Sequence, residues 1–198
     1  MKQSFREMGV EVIRSCVAKW NALMHGIMQR RDYQRIGSYL IYQADAVSAP
    51  VEQIAQLAED EREAVWSFLN SQDDSERPRL FVCRGAKWQA LTTEQLSARL
   101  RAGLVWGARQ GKNWQSLLIQ SYMESADLAL WVGYIDGTSE GLPVLLQEMR
   151  HLAYQQGYSS VGGFFPKTDF TLESLRQTGY QPEPSQEYWV YEAIAPAN

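Results

Sequence analysis

The sequence predicts an α/β fold, a mixed, twisted sheet flanked by helices, and three stretches predict it. Residues 128–135, LALWVGYI, are uncharged and almost wholly apolar, the signature of a short central strand covered on both faces. Past the turn-forming residues 136–141, Leu142, Leu145, Leu146, Met149, Leu152 and Ala153 recur at helical spacing until Gly157 stops them. Residues 161–165 form a second apolar run, closed by Pro166. Strand, helix, strand is a crossover, and a crossover pairs its two strands in parallel.

The other elements follow from local chemistry. Val10, Val12 and Ile13 alternate as in a strand, and Val17, Trp20, Leu23 and Met24 then take helical spacing. Residues 38–44, SYLIYQA, read as a strand, and Ser48-Ala49-Pro50 as the boundary after it. A strand is expected over 51–57 and an acid-started helix over 59–69, with Ala64, Val65, Phe68 and Leu69 as its inner face. Residues 71–78 are loop-like. Residues 80–84 and 88–91 predict a hairpin around 85–87, and Thr92 with Gln95 a capping box for a helix ending at Gly103. Residues 104–110 and 114–123 predict an antiparallel pair joined at Gly111-Lys112-Asn113. After Pro166, Thr168 or Asp169 caps a short helix bearing Leu172 and Leu175 and closed by Gly179, and 187–194 form the last strand.

Composition narrows the function classes. The chain has 198 residues, 45% of them hydrophobic, enough for one compact domain with an arm. A formal charge of −4 without a basic block argues against a general nucleic-acid or anionic-membrane surface. No apolar run reaches a membrane span and residues 1–7 lack a secretory core, so a cytoplasmic protein is expected. Cys16 and Cys83 share no metal-ligand spacing and read as reduced thiols; His25 and His151 read as ordinary helix residues. No metal site is expected.

The N-terminal stretch echoes the C-terminal end. Gly9, Lys19, Tyr33, Gln34, Tyr39, Tyr42 and Ala44 match Gly157, Lys167, Tyr180, Gln181, Tyr188, Tyr191 and Ala193 in order. Duplication and chance convergence of two aromatic strands are the two explanations. The division this suggests is an arm over 1–49 and a domain over 50–198.

From residue 51 onward, the element order, the long crossover helix and the Gly179-Tyr180 helix end before an aromatic strand resemble the GNAT superfamily of acyl-CoA-dependent N-acyltransferases. The arm is similar to the last third of a second, truncated copy, as in tandem proteins of that superfamily. The resemblance implies a gap where two central strands splay and take pantetheine. Here it assigns Gly133 and Ile135 to the first strand and Gly162 and Gly163 to the second. Those glycines either admit a ligand to the gap or relieve crowding by Trp131, Phe164 and Phe165. It further implies a diphosphate site at the turn before the crossover helix, where Gly137 and Gly141 are the candidates. In that motif Glu140 and Leu142 stand where the family has small residues, and Leu175 stands where it often has a proton-donating Tyr. For the base, the candidates are Glu124 and Asp136, with Asp127 beside them.

Two functions follow as expectations. One is an N-acyltransferase using acetyl-CoA or another acyl-CoA on a small-molecule or protein amine. The other is a catalytically silent module of the same fold, binding a protein partner or a second copy through the arm. Residues 39–44, if unpaired, would be a sticky edge, so the arm is expected to dock on the sheet edge beside the last strand or to swap into a partner chain.

Overall fold

A computed structural model describes residues 12–71, 79–83, 87–121 and 129–194. Among the described residues ten strands and five α-helices run in the order β1 (Val12–Ala18), α1 (Ala22–Arg30), β2 (Gln34–Asp45), β3 (Ile54–Gln56), α2 (Arg62–Ser71), β4 (Leu80–Cys83), β5 (Lys87–Ala90), α3 (Thr93–Arg101), β6 (Val105–Gln110), β7 (Asn113–Ser121), β8 (Ala129–Gly137), α4 (Gly141–Gln155), β9 (Ser160–Pro166), α5 (Asp169–Gln177) and β10 (Gln181–Ile194). Eight strands form one sheet in the order β1-β10-β2-β9-β8-β7-β6-β3, and β4 and β5 pair as a separate hairpin. The α/β class with a mixed, largely antiparallel sheet is as the sequence predicts. β8 and β9 are parallel, as their crossover requires.

Local signals placed most element ends. Thr92 Oγ1 accepts from Gln95 N at 3.2 Å and caps α3, and Thr168 accepts from Thr171 N and caps α5. Gly103, Gly111, Gly157 and Gly179 have positive φ at the turns they were expected to make. Several elements differ from expectation in their bounds: Val17 lies in β1 rather than in the helix, β8 runs on to Gly137, and β10 begins at Gln181. The strand near residue 54 is only three residues long, and the helix expected from residue 59 opens with a 3₁₀ turn, Glu59–Glu61. Of the expected loop at 71–78 and hairpin turn at 85–87, Ser71 instead ends α2 and Lys87 begins β5, and the rest, with Gly9, lies outside the described residues.

Two layers cover the sheet. On one face α4 and α5 bury Leu145, Leu146, Met149 and Leu175 against Val132, Val161 and Phe165, all fully enclosed. On the other, α2 and α3 pack Val65, Leu69 and Leu96 on Leu117 and Ile119. The β4–β5 hairpin continues that layer, laying Leu80, Val82 and Trp88 over Ile41, Phe164 and Val190. Glu148, 3% exposed, is a buried charge with partners: its carboxylate accepts from Glu52 N and Gln53 N and faces His151. It ties the lead into β3 to α4.

The N-terminal strands depart from the expected edge docking. β2 lies inside the sheet, antiparallel to β10 on one side and β9 on the other, while β1 forms the edge. The physical reason is a vacant place. β9 and β10 run parallel through α5 but are not neighbours, and β2 supplies the intervening strand. Conversely, β1 and β2 run parallel through α1, and β10 fills the place between them. Each strand–helix–strand unit thus completes the other. The junction is ionic as well: Glu187 on β10 accepts from Lys19, Lys167, Ser38 and the Trp189 indole.

Candidate functional site

β8 and β9 pair only over Ala129–Val132 against Ser160–Gly163. Beyond Val132 and Gly163 the two strands part: β8 stays with β7 through Gly137, and β9 stays with β2 through Pro166. At the fork, β8 carries a bulge. Val132 opposes Gln120 and Tyr134 opposes Ile119, so Gly133 has no partner in either register. The gap therefore opens at Gly133 and Gly163, two of the glycines read from the sequence.

These glycines are also required by packing. A Cβ on Gly133 would stand 2.5 Å from Phe81 Cε2 and 2.7 Å from the Val82 carbonyl, so the β4–β5 hairpin seats directly on the bulge. A Cβ on Gly163 would meet Val132 at 2.8 Å, and one on Gly162 the Tyr42 carbonyl at 3.1 Å, with Trp131 at an ordinary 3.5 Å. Crowding at these glycines therefore comes from the hairpin, from Val132 and from the Tyr42 carbonyl. Ile135 pairs with Leu118 and buries its side chain toward α4, which leaves only its backbone to face the gap.

The bulge changes which face follows. Tyr134 turns to the α2–α3 face and Asp136 follows it, and the Tyr134 hydroxyl donates to Asp136 Oδ2 at 2.9 Å. Gly137 N donates to Asp136 Oδ1 at 2.8 Å. Burial raises the Asp136 pKa from its ordinary value, against the opposing pull of Tyr134, Gly137 and the Arg79 charge. Burial, with the Asp136 charge beside it, holds Tyr134 well above its ordinary value, so its hydroxyl stays protonated and donating. Asp136 thus stands on the splayed segment as a largely buried carboxylate held by Tyr134 and Gly137. Glu124 and Asp127 lie outside the described residues.

The turn before α4 begins later than the sequence suggests. Gly137 still pairs with Ser116, so Asp136 and Gly137 belong to β8. Thr138 then closes the helix start on itself: its Oγ1 accepts from Gly141 N at 3.1 Å and its carbonyl from Leu142 N at 3.0 Å. Gly141 packs on the Gln115 backbone, where a Cβ would stand 2.5 Å away, and Leu142 points into the core at 2% exposure. Two first-turn amides that an anion would use are already satisfied by Thr138. The sequence reading missed this cap because Thr138 lies three residues before the first helical residue. A threonine at that spacing from Gly141 is the signal that would have found it.

No tyrosine near the C-terminus is placed as a proton donor. Tyr180 is 1% exposed and donates to the Leu146 carbonyl at 3.1 Å, and Tyr188 donates to Gln186. Tyr191 meets His25 Nδ1 at 2.9 Å; because His25 Nε2 lies 3.1 Å from the Ala18 and Lys19 carbonyls, Nε2 carries the proton and Tyr191 donates. Leu175 is fully buried beneath α4. Among the described residues no group of three His, Cys, Asp or Glu side chains could hold a metal, and no helix is long and apolar enough to cross a membrane.

A sheet with two parallel neighbours forking at a bulge, just ahead of a crossover helix, is a specific architecture, and the fold that carries it superposes on solved structures. This is the fold of the GCN5-related N-acetyltransferases. A GCN5-related N-acetyltransferase from Sphaerobacter thermophilus superposes over 94% of this chain with a TM-score of 0.62 at 11% identity, and the match covers 61% of that chain. A GNAT-family acetyltransferase from Colwellia psychrerythraea gives 0.54 at 10% identity, over 93% of this chain and 65% of its own. A functionally unknown conserved protein from Staphylococcus epidermidis gives 0.62 at 8% identity, over 98% and 77%. The chain thus spans about three fifths of the first of these. No family model matches the sequence, and no curated protein matches it.

Proposed function

We propose that this protein is an acyl-CoA-dependent N-acyltransferase acting on an amine. The observation that carries the reading is the fork of β8 and β9 at Gly133 and Gly163, with Asp136 on the splayed stretch of β8. The residues present fit the pantetheine part of such a cofactor: β8 from Gly133 to Asp136 has no strand pairing on its β9 side among the described residues, so the backbone groups that face that side are open to a ligand's amides. They do not fit the family's diphosphate loop, because the Thr138 hydroxyl occupies the Gly141 amide and Glu140 and Leu142 stand where that loop has small residues.

When bound, an acyl-CoA supplies an activated acyl thioester. The chain's own part is positioning and proton transfer. Asp136 would accept a proton from the acceptor's ammonium and free the lone pair that attacks the thioester carbonyl; as the C–S bond breaks, CoA would leave as the thiolate and take up the proton that the new amide nitrogen sheds. Tyr134 and Gly137 hold the carboxylate in one orientation while it does so. Desolvation makes Asp136 a better base than an exposed aspartate.

A second reading is favoured by a separate observation. The self-capped α4, with Leu142 and Leu175 in the core, suits a catalytically silent module that keeps the fold and binds a partner. Thermal unfolding with acetyl-CoA and with CoA separates the two. A ligand at 100 times its Kd stabilises by about 2.7 kcal/mol, a readable rise in Tm. A rise, together with acetylation of an amine panel, supports the enzyme; no shift at millimolar ligand leaves the silent module.

A further inference from the structure

The turn between β8 and α4 stands where the nucleotide end of a donor would be gripped, and its polar groups are engaged by the protein itself. Thr138 N donates to the Gln115 carbonyl at 2.7 Å, and the Thr138 hydroxyl donates to Gln115 Oε1 at 3.0 Å. Ser116 Oγ donates to the Gly141 carbonyl at 2.9 Å. Gly141 lies so close to β7 that a Cβ would stand 2.5 Å from the Gln115 carbonyl oxygen. The turn is thus pinned to β7 from Thr138 to Gly141 and has no slack with which to close around a ligand. Gly137 N is held by Asp136 Oδ1 and Gly141 N by Thr138 Oγ1, which leaves the amides of two exposed residues, Ser139 and Glu140.

Charge opposes an anion there as well. A diphosphate is held by several free amides, by cations, or by both. Residues 136–141 supply two carboxylates, Asp136 and Glu140, and no cation, and Glu140 heads α4 without a side-chain bond to the helix end. β7 and β8 contain no Lys or Arg. The first cation of α4 is Arg150, which is engaged by the Asp45 and Thr178 carbonyls at 3.0 and 2.8 Å. Arg109 on β6 pairs with Glu61 and lies over the Trp114 ring. Lys112, in the turn between β6 and β7, is the cation closest in sequence to Gln115.

We infer that the donor is recognised as an acyl-pantetheine thioester, and that the nucleotide diphosphate of acyl-CoA contributes nothing to its recognition. This rests on the acyltransferase reading and narrows its donor. A pantetheine arm is uncharged, so neither Asp136 nor Glu140 repels it, and its amides match the open strand backbone at the fork. The reacting atoms are the same with or without the nucleotide. The amine nitrogen bonds to the acyl carbon, the C–S bond breaks, and the thiol leaves with the proton that the new amide sheds. Acyl-CoA is then one donor among pantetheine thioesters.

The test compares acetyl-CoA with S-acetyl-pantetheine as donors to one amine, using the full chain. The two kcat/KM values are expected to agree within about threefold. CoA and pantetheine at equal concentration are expected to raise Tm alike. A preference of about tenfold or more for acetyl-CoA overturns the inference, as does a Tm rise that CoA gives and pantetheine does not. Lys112→Ala is expected to leave the ratio of the two donors unchanged. A loss of about tenfold in acetyl-CoA transfer with S-acetyl-pantetheine transfer intact would assign the diphosphate to that lysine, and overturns it too. Transfer from neither thioester to any amine, with no rise in Tm from either ligand, removes the acyltransferase reading and this inference with it.

Discussion

Asp136 and Glu187 are carboxylates held in opposite directions, and the contrast gives residue-scale predictions of opposite sign. At Glu187 burial alone would raise the pKa, but the Trp189 indole, Lys167, Lys19 and Ser38 together bring it from 4.5 down to about 2. Its stabilising contribution is present above the unfolded carboxylate range and is lost as pH falls from about 4.5 toward about 2. Glu187→Gln is therefore expected to flatten the acid limb of a Tm-against-pH curve over that window. At Asp136 the shift is upward, so folding favours the neutral acid. Its contribution is present at low pH and is lost as pH rises through the raised value. Asp136→Asn should then leave Tm at neutral pH unchanged or higher, while acylation, measured with an active amine, falls about 10²–10⁴-fold. Sequence reasoning reached Asp136 only as a strand-end carboxylate, one of several. Tyr134 as its partner depends on the bulge that turns both to one face, and a bulge leaves no mark in a sequence beyond a glycine.

Elements were legible where the rule is local. The crossover, the α3 capping box, the Gly111 hairpin and the Gly179 helix end all rest on spacings of a few residues, and each formed where expected. Element ends that depend on a neighbour were not. β8 runs two residues further than its pattern because Gly137 pairs with Ser116, and β10 starts six residues earlier because Gln181 and Pro182 pair with β2. Two substitutions probe the fork and the turn. Gly133→Ala drives a methyl into Phe81 and the Val82 carbonyl and is expected to cost about 1–3 kcal/mol in chemical denaturation, more than Gly157→Ala's strained but open site. Thr138→Val removes the hydroxyl that accepts from Gly141 N and is expected to cost about 1 kcal/mol by the same measurement.

At the scale of the molecule, β2 is held from both sides, by β9 and by β10, and the N-terminal unit cannot leave without opening the sheet. Limited proteolysis between Asp45 and Pro50 is accordingly expected to cut the chain without releasing it: the two fragments co-elute on native sizing and separate only in denaturant. Early loss of residues 12–45 from a stable remainder would contradict the interlock. By itself the sequence determined the class of fold, the crossover and most helix and turn boundaries, because hydrophobic period and cap chemistry act within one or two turns of chain. The tertiary structure alone decided that β2 enters the sheet interior, that β8 and β9 part at Val132 and Gly163, and that a hairpin closes over Gly133. Those outcomes are set by hydrogen-bond pairing and packing between residues that lie up to about 150 positions apart, and pairing at that range is satisfied by the backbone, which every residue carries alike.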